Sequence, residues 1–97
     1  MLTVQQIQQT VADYFKDKPV KKVYLFGSYA RGEAKEQSDV DLLVELDYDK
    51  KIGLEFVRWV LFLQNKFGRK VDLVPESIMY SAIKKTADDD KLLMLSN

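Results

Sequence analysis

The sequence predicts an α/β or α+β domain in which helices flank a small mixed β-sheet. Short runs rich in β-branched and aromatic residues, typical of strands, alternate with longer segments of helical apolar spacing. The 97 residues suffice for one hydrophobic core but not for a second domain, and no linker or internal repeat divides them. We therefore expect a single domain over residues 1–97 with the element order αβαβαβα.

The first predicted element is a helix near the start of the chain. Thr3 and Gln6 have the spacing of a capping box, in which each side chain bonds the backbone N–H of the other residue. Apolar residues then recur at helical spacing, at Val4, Ile7, Val11, Tyr14 and Phe15. Lys18-Pro19 should end this helix, which we expect to pack into the core.

Three strands are predicted, over Val20–Phe26, Val40–Leu46 and Arg69–Pro75. Side chains alternate between the two faces of a strand. One face of the second strand and its entry therefore carries Asp39, Asp41 and Leu43, and the other carries Val40, Leu42 and Val44. In the third strand, Asp72 and Val74 lie opposite Val71 and Leu73. We expect the Val40 face to pack and the Asp41 face to carry chemistry.

The longest predicted helix spans Ile52–Phe67, and Gly68 closes it as a C-terminal cap. Apolar side chains cover most of its circumference, at Leu54, Phe56, Val57, Trp59, Val60, Leu61, Phe62, Leu63 and Phe67. Either the helix is buried between the sheet and its neighbours, or part of it is a surface for a partner or a second copy. Trp59 and Phe62, three positions apart, are the predicted aromatic patch for such a contact.

A last helix is predicted from Ile78 to about Lys85, with Glu76-Ser77 as its cap. The acidic run Asp88–Asp90 should end it, because acidic side chains are unfavourable near a helix C-terminus. No element is predicted for the apolar tail Leu92–Leu95.

The composition excludes several classes of function. Fifteen basic and fifteen acidic residues cancel, so the electrostatic footprint of a general nucleic-acid binder is missing. Without cysteine or histidine the chain has no disulfide, no thiolate metal site and no usual zinc ligand, so any metal must be hard and oxygen-bound. The start lacks the features of a signal peptide, and Arg58 interrupts the longest apolar stretch, so we expect a cytoplasmic protein without membrane contact.

The motif that organises the chain is a Gly-Ser pair at the end of the first strand, followed by two spaced aspartates. Gly27-Ser28 lets backbone amides approach a phosphate closely, and Asp39 and Asp41 follow after ten residues. Their carboxylates can bind two Mg²⁺ ions roughly 4 Å apart, an arrangement that suits phosphoryl or nucleotidyl transfer. Alternatively, Gly-Ser is an ordinary turn, Asp39 a cap and Asp41 a solvent-facing strand residue. Arg31 can meet phosphates or pair with Glu33 or Asp39.

The run GSYARGEAKEQSDVDLLVE resembles the nucleotidyltransferase superfamily that includes DNA polymerase beta. It looks most like the minimal nucleotidyltransferase branch, whose members act as antitoxins beside HEPN-type ribonuclease toxins. The resemblance implies the polymerase beta-like fold, a triphosphate held by Gly27 and Ser28, and metal bound by Asp39 and Asp41. It also implies a third carboxylate on a later strand, for which Asp72 is the candidate. The sequence departs from the commoner motif at Tyr29, where a basic residue is frequent, and at Glu36.

The resemblance further implies a Mg²⁺-dependent enzyme that transfers AMP from ATP to a hydroxyl, that of a tyrosine, on a cognate HEPN-type toxin. Asp72 would then bind metal beside the attacking hydroxyl and accept its proton. One alternative is a nucleotidyltransferase for small molecules, of the kind that inactivates aminoglycosides. Another is an antitoxin that acts by binding alone. The residues do not decide between a homodimer and a hetero-oligomer with the toxin.

Overall fold

The computed structural model describes residues 2–47, 49, 51–78 and 91–97 and shows a four-stranded mixed sheet with flanking helices, which confirms the predicted fold class. In chain order the elements are α1 (Val4–Phe15), β1 (Val20–Phe26), α2 (Gly27–Ala30), β2 (Val40–Leu46), α3 (Glu55–Phe67), β3 (Val71–Pro75), a 3₁₀ turn (Glu76–Ile78) and β4 (Leu92–Ser96). Beyond the 3₁₀ turn, the predicted last helix and the run Asp88–Asp90 lie outside the described residues. None of the helices in the described ranges is long and apolar enough to cross a bilayer.

The sheet has the strand order β3-β2-β1-β4. β1 is antiparallel to both β2 and β4, whereas β2 and β3 are parallel. The parallel register sets Val40 beside Val71 and Asp41 beside Asp72. The outer strand β4 lies where no element was predicted, because the periodicity of so short an apolar run cannot identify its structure.

The start of α1 is held by the predicted capping box. The Gln6 backbone N–H donates to Thr3 Oγ1 at 3.1 Å, and the Thr3 backbone N–H donates to Gln6 Oε1 at 2.8 Å. These bonds satisfy two backbone donors that a helix N-terminus otherwise leaves without intrahelical partners. The helix then buries Ile7, Val11 and Phe15 against the sheet.

The main core lies between one face of the sheet and the pair α1 and α3. The Phe15 and Trp59 rings meet edge to face with their centroids 5.4 Å apart, and the Tyr14 and Phe62 rings stack at 3.9 Å. The sheet contributes fully buried side chains to the same core, at Val23, Leu25, Val40, Leu42 and Val44. The Val40 face of β2 therefore packs, as its alternation predicted.

Helix α3 has two apolar stripes with different surroundings. The stripe toward the sheet is buried and consists of Trp59, Leu63 and Phe67. The opposite stripe is exposed and consists of Leu54, Val57 and Leu61, whose exposed fractions are 82%, 53% and 58%. Helical spacing explains the division, since residues three or four apart share a face. The interpretation as a buried helix thus holds for the first stripe, and the second stripe is exposed in this chain.

The predicted aromatic contact patch on α3 is wrong. Trp59 is only 1% exposed and packs against Phe15 and Phe56, while Phe62 is half-buried and stacks on Tyr14. Their spacing places them on one side of the helix, but that side faces α1. The sequence pattern indicated the proximity of these two rings without showing which element would cover them.

Candidate active site

Three aspartates meet where β2 and β3 begin. Asp39 immediately precedes β2, and Asp41 and Asp72 are the second residues of β2 and β3. Asp41 and Asp72 are direct neighbours in the parallel register, and both side chains are half-buried. The neighbouring residues Val40 and Val71 point into the core, so alternation turns the carboxylates to the other face. The structure therefore brings together the three acidic residues selected from the sequence.

The carboxylates of this cluster lie close enough together for their negative charges to affect one another. The pKa of Asp41 is raised to about 6, first by burial and then by the charge of Asp72, a hydrogen bond to Asp72 and the charge of Asp39. The positive charge of Arg31 opposes it. Negative charge at this position is therefore only partly compensated by the protein.

The chemistry of the three donors fits a hard divalent cation. All of them are carboxylate oxygens, the ligands that Mg²⁺ prefers, and a cation would relieve the repulsion that raises the pKa of Asp41. In the described part of the chain, no three acidic side chains are already arranged closely enough to hold a metal ion. Asp39, Asp41 and Asp72 would thus have to adjust their side chains to share one.

The Gly27-Ser28 turn lies directly against this acidic cluster. Helix α2 begins at Gly27, and Phe26 at the end of β1 pairs with Asp41. Gly27 has φ +75°, a conformation that side chains rarely adopt, and a Cβ built on it would collide with Asp41 Oδ2. Glycine is needed here both for the backbone conformation and for the close approach of the Asp41 carboxylate.

Arg31 lies at the end of α2, next to the same cluster. Its Nε donates to Glu33 Oε2 at 3.2 Å, which is one of the pairings that the sequence left open. Its charge also lowers the pKa of Asp41, so the guanidinium is within electrostatic reach of the carboxylates. Arg31 is therefore placed to balance charge at the mouth of the site.

Sequence reasoning missed two basic residues of this region. Arg69 and Lys70 were assigned to the third strand, but β3 begins at Val71. Lys70 Nζ lies 3.7 Å from Asp72 Oδ1, and Arg69 Nη1 donates to the hydroxyl of the buried Tyr29. The pairing of Lys70 with Asp72 was foreseeable, since residues two apart share a face of an extended chain.

The face of β2 that carries Asp41 is not uniformly accessible. Asp41 and Glu45 are half-buried, but Leu43 between them is fully buried, although it lies outside the core cluster under α1 and α3. The expectation that this face carries chemistry is therefore wrong at Leu43. The apolar side chain of Leu43 already indicated burial at that position.

The sequence profile of the nucleotidyltransferase domain matches residues 4–93, which is nearly the whole chain. The chain belongs to this family. It is 39% identical over 90 residues to the protein adenylyltransferase MntA of Thermococcus cleftensis, a match that covers 89% of this chain and 90% of that protein. The chain is thus a nucleotidyltransferase, as the motif from Gly27 to Asp41 predicted.

Solved structures share the fold. A toxin–antitoxin complex with AMP-PNP contains a chain that superposes with a TM-score of 0.78 at 20% identity, over 93% of this chain and 73% of that one. A complex of a tri-AMPylated Shewanella oneidensis HEPN toxin with its MNT antitoxin gives a TM-score of 0.71 at 18% identity, over 96% and 72%. At these identities the likeness establishes the common fold, which agrees with the predicted polymerase beta-like architecture.

Proposed function

We propose that this enzyme transfers AMP from ATP to a tyrosine hydroxyl of a cognate HEPN-type ribonuclease toxin and thereby neutralises the toxin. The observation that carries the proposal is the approach of the Gly27 turn to Asp41, beside Asp72. Support also comes from the related protein adenylyltransferase of Thermococcus cleftensis and from the AMPylated HEPN toxin held by a chain of the same fold.

In this proposal the nucleotide lies along α2. The first backbone N–H groups of a helix have no intrahelical partners, so those at Gly27 and Ser28 are suited to phosphate oxygens. Arg31, at the other end of the same short element, would neutralise part of the triphosphate charge. The AMP-PNP in the structural relative supports ATP as the nucleotide.

Asp39, Asp41 and Asp72 would hold two Mg²⁺ ions, since their carboxylates form a set of hard oxygen donors. Bound there, Mg²⁺ would withdraw charge from the reacting phosphate and lower the pKa of the attacking hydroxyl. Asp41 lies against the Gly27 turn, and Asp39 precedes it by two residues at the entry to β2. Asp72 lies one strand further from that turn, and in this proposal it would face the acceptor.

The reaction itself is a displacement at phosphorus. The tyrosine oxygen bonds to the α-phosphorus of ATP, the bond from that phosphorus to the bridging oxygen breaks, and pyrophosphate leaves. The tyrosine proton passes to Asp72, whose half-exposed carboxylate a partner's side chain can reach. The displacement is direct, so no covalent intermediate with the enzyme is required.

One observation favours a second candidate function, neutralisation by binding alone. The exposed stripe of Leu54, Val57 and Leu61 on α3 offers apolar surface that a toxin could cover. Binding alone, however, does not require clustered carboxylates that repel one another. We therefore favour catalysis as the function of the acidic cluster.

The experiment incubates the enzyme, ATP and Mg²⁺ with the cognate toxin, then separates the two proteins. Catalysis predicts an added mass of one AMP on a toxin tyrosine and a toxin that stays unable to cleave RNA after separation. Neutralisation by binding predicts an unmodified toxin that regains activity. The second result, obtained with a folded enzyme, would overturn the proposal.

A further inference from the structure

The guanidinium of Arg69 joins three segments of the chain. Nη1 donates to the Tyr29 hydroxyl and, at 2.8 Å, to the Glu36 backbone carbonyl, while Nε donates to the Phe67 carbonyl at 3.1 Å. Such a planar fork of donors can serve several fixed acceptors at once, which a lysine ammonium on a flexible stem cannot reproduce.

Two of these segments, and the chain that follows Arg69, lead directly to parts of the candidate site. Tyr29 follows Ser28 in α2 and is only 4% exposed, so its ring has a fixed position. Glu36 lies in the loop that delivers Asp39. The backbone carbonyl of Lys70, the residue after Arg69, accepts a hydrogen bond from the Val40 backbone N–H at 3.0 Å. This bond holds the starts of β2 and β3 together.

The loop between α2 and β2 needs such an attachment. Within it, the Lys35 backbone N–H donates to Ser38 Oγ at 2.8 Å and the Ser38 backbone N–H to the Lys35 carbonyl at 3.0 Å. These two bonds close the loop on itself but do not connect it to the sheet. The bond from Arg69 to Glu36 connects the loop to the segment that leads into β3, in a region where the carboxylates of Asp39, Asp41 and Asp72 repel one another.

We propose that Arg69 is a positioning residue for nucleotidyl transfer, which fixes the nucleotide-binding turn and the Asp39 loop relative to Asp41 and Asp72 through Tyr29 and Glu36. The proposal rests on the proposed function of this site. Because a misplacement of about 1 Å can cost about 100-fold in rate, a tether of this kind affects catalysis without touching the reacting atoms.

The test compares Arg69→Met and Arg69→Lys with Arg58→Met, which removes an exposed arginine from α3. We expect both Arg69 variants to raise the KM for ATP or lower kcat by about 10-fold or more while remaining folded at the assay temperature. Tyr29→Phe should show a smaller loss. In the double variant with Arg69→Met, that loss should not add to the first, because the two side chains act through one hydrogen bond.

Amide hydrogen exchange gives a readout that does not depend on transfer. Arg69→Met should speed exchange in residues 27–39 while leaving α1 protected, and Arg58→Met should change neither region. Unchanged exchange in residues 27–39, or wild-type kcat and KM in folded Arg69→Met, would overturn the proposal. If wild type and Arg58→Met both fail to transfer AMP, the proposed function fails, and the exchange result still decides whether Arg69 positions the loop.

Discussion

The apolar core under α1 and α3 and the acidic end of β2 and β3 lie on the same strands but obey opposite physical rules. In the core, Phe15, Trp59 and Leu63 are almost completely buried within one hydrophobic cluster, so their packing stabilises the fold. At the acidic end, burial of Asp41 and the charge of the neighbouring Asp72 raise the pKa of Asp41, so its charged form is disfavoured there. Alternation along one strand can thus direct stability to one face and chemistry to the other.

The largest effect is expected in the core. Leu63→Ala should lower the free energy of unfolding by about 3 kcal/mol, because it removes a fully buried side chain and leaves a cavity. Leu61→Ala, on the exposed side of the same helix, should cost about 0.5 kcal/mol or less. Urea denaturation measures both. Similar losses for the two variants would contradict the division of α3 into a buried and an exposed stripe.

At the acidic end, Gly27→Ala should reduce AMP transfer by about 100-fold, since the added Cβ displaces the Asp41 carboxylate. Gly32→Ala is the matched control: its φ is +72°, close to that of Gly27, but its Cβ would meet no atom within 4 Å. Both variants should lose about 1 kcal/mol of stability from the backbone conformation. Steady-state rates of AMP transfer compare the two variants. Equal losses of activity would show that backbone strain, and not displacement of Asp41, causes the loss.

A smaller effect is expected from pH in metal-free buffer. The pKa of Asp41 is raised in the folded state, so between pH 4 and 6 the native protein binds more protons than the unfolded chain, and stability falls as pH rises. The shift corresponds to about 3 kcal/mol, which solvent screening of this half-buried group reduces to about 1 kcal/mol.

Urea denaturation at pH 4 and pH 7 measures this term as the difference between wild type and Asp41→Asn. At pH 7, where Asp41 is charged in wild type, the variant should be as stable as wild type or more stable. Glu45→Gln, further along the same strand, should keep the wild-type pH dependence. An Asp41→Asn protein with the same pH profile as wild type would show that the cluster carries no such cost.

The sequence predicted those parts of the molecule that local patterns control. Thr3 and Gln6 identified the start of α1, alternation separated Val40 from Asp41, and the spacing after Gly27 located the acidic cluster. Contacts between segments that are far apart in the chain could not be predicted from the sequence. Neither the cover of α1 over Phe62 nor the bond from Arg69 to Tyr29 leaves a local signature, because each depends on how separate elements pack.

The edge strand β4 illustrates a different limit. Leu92–Ser96 is too short for its periodicity to distinguish strand from helix, and its place is set by pairing with β1, about 70 residues earlier in the chain. Similarly, Leu43 fits the alternation of β2 but is buried on the Asp41 face. Burial there depends on tertiary cover, which alternation alone does not reveal.

The rate of AMP transfer by Asp41→Asn, compared with that by Glu45→Gln, tests most directly whether the acidic cluster is catalytic. Both substitutions remove one carboxylate from β2, but only Asp41 lies against Gly27 and Asp72. Intact-mass spectrometry of the toxin should show AMP added by wild type and Glu45→Gln, and transfer by Asp41→Asn reduced by at least about 100-fold. Asp41→Asn should be at least as stable as wild type at pH 7. An Asp41→Asn protein that adds AMP at the wild-type rate would contradict the assignment of the cluster to catalysis.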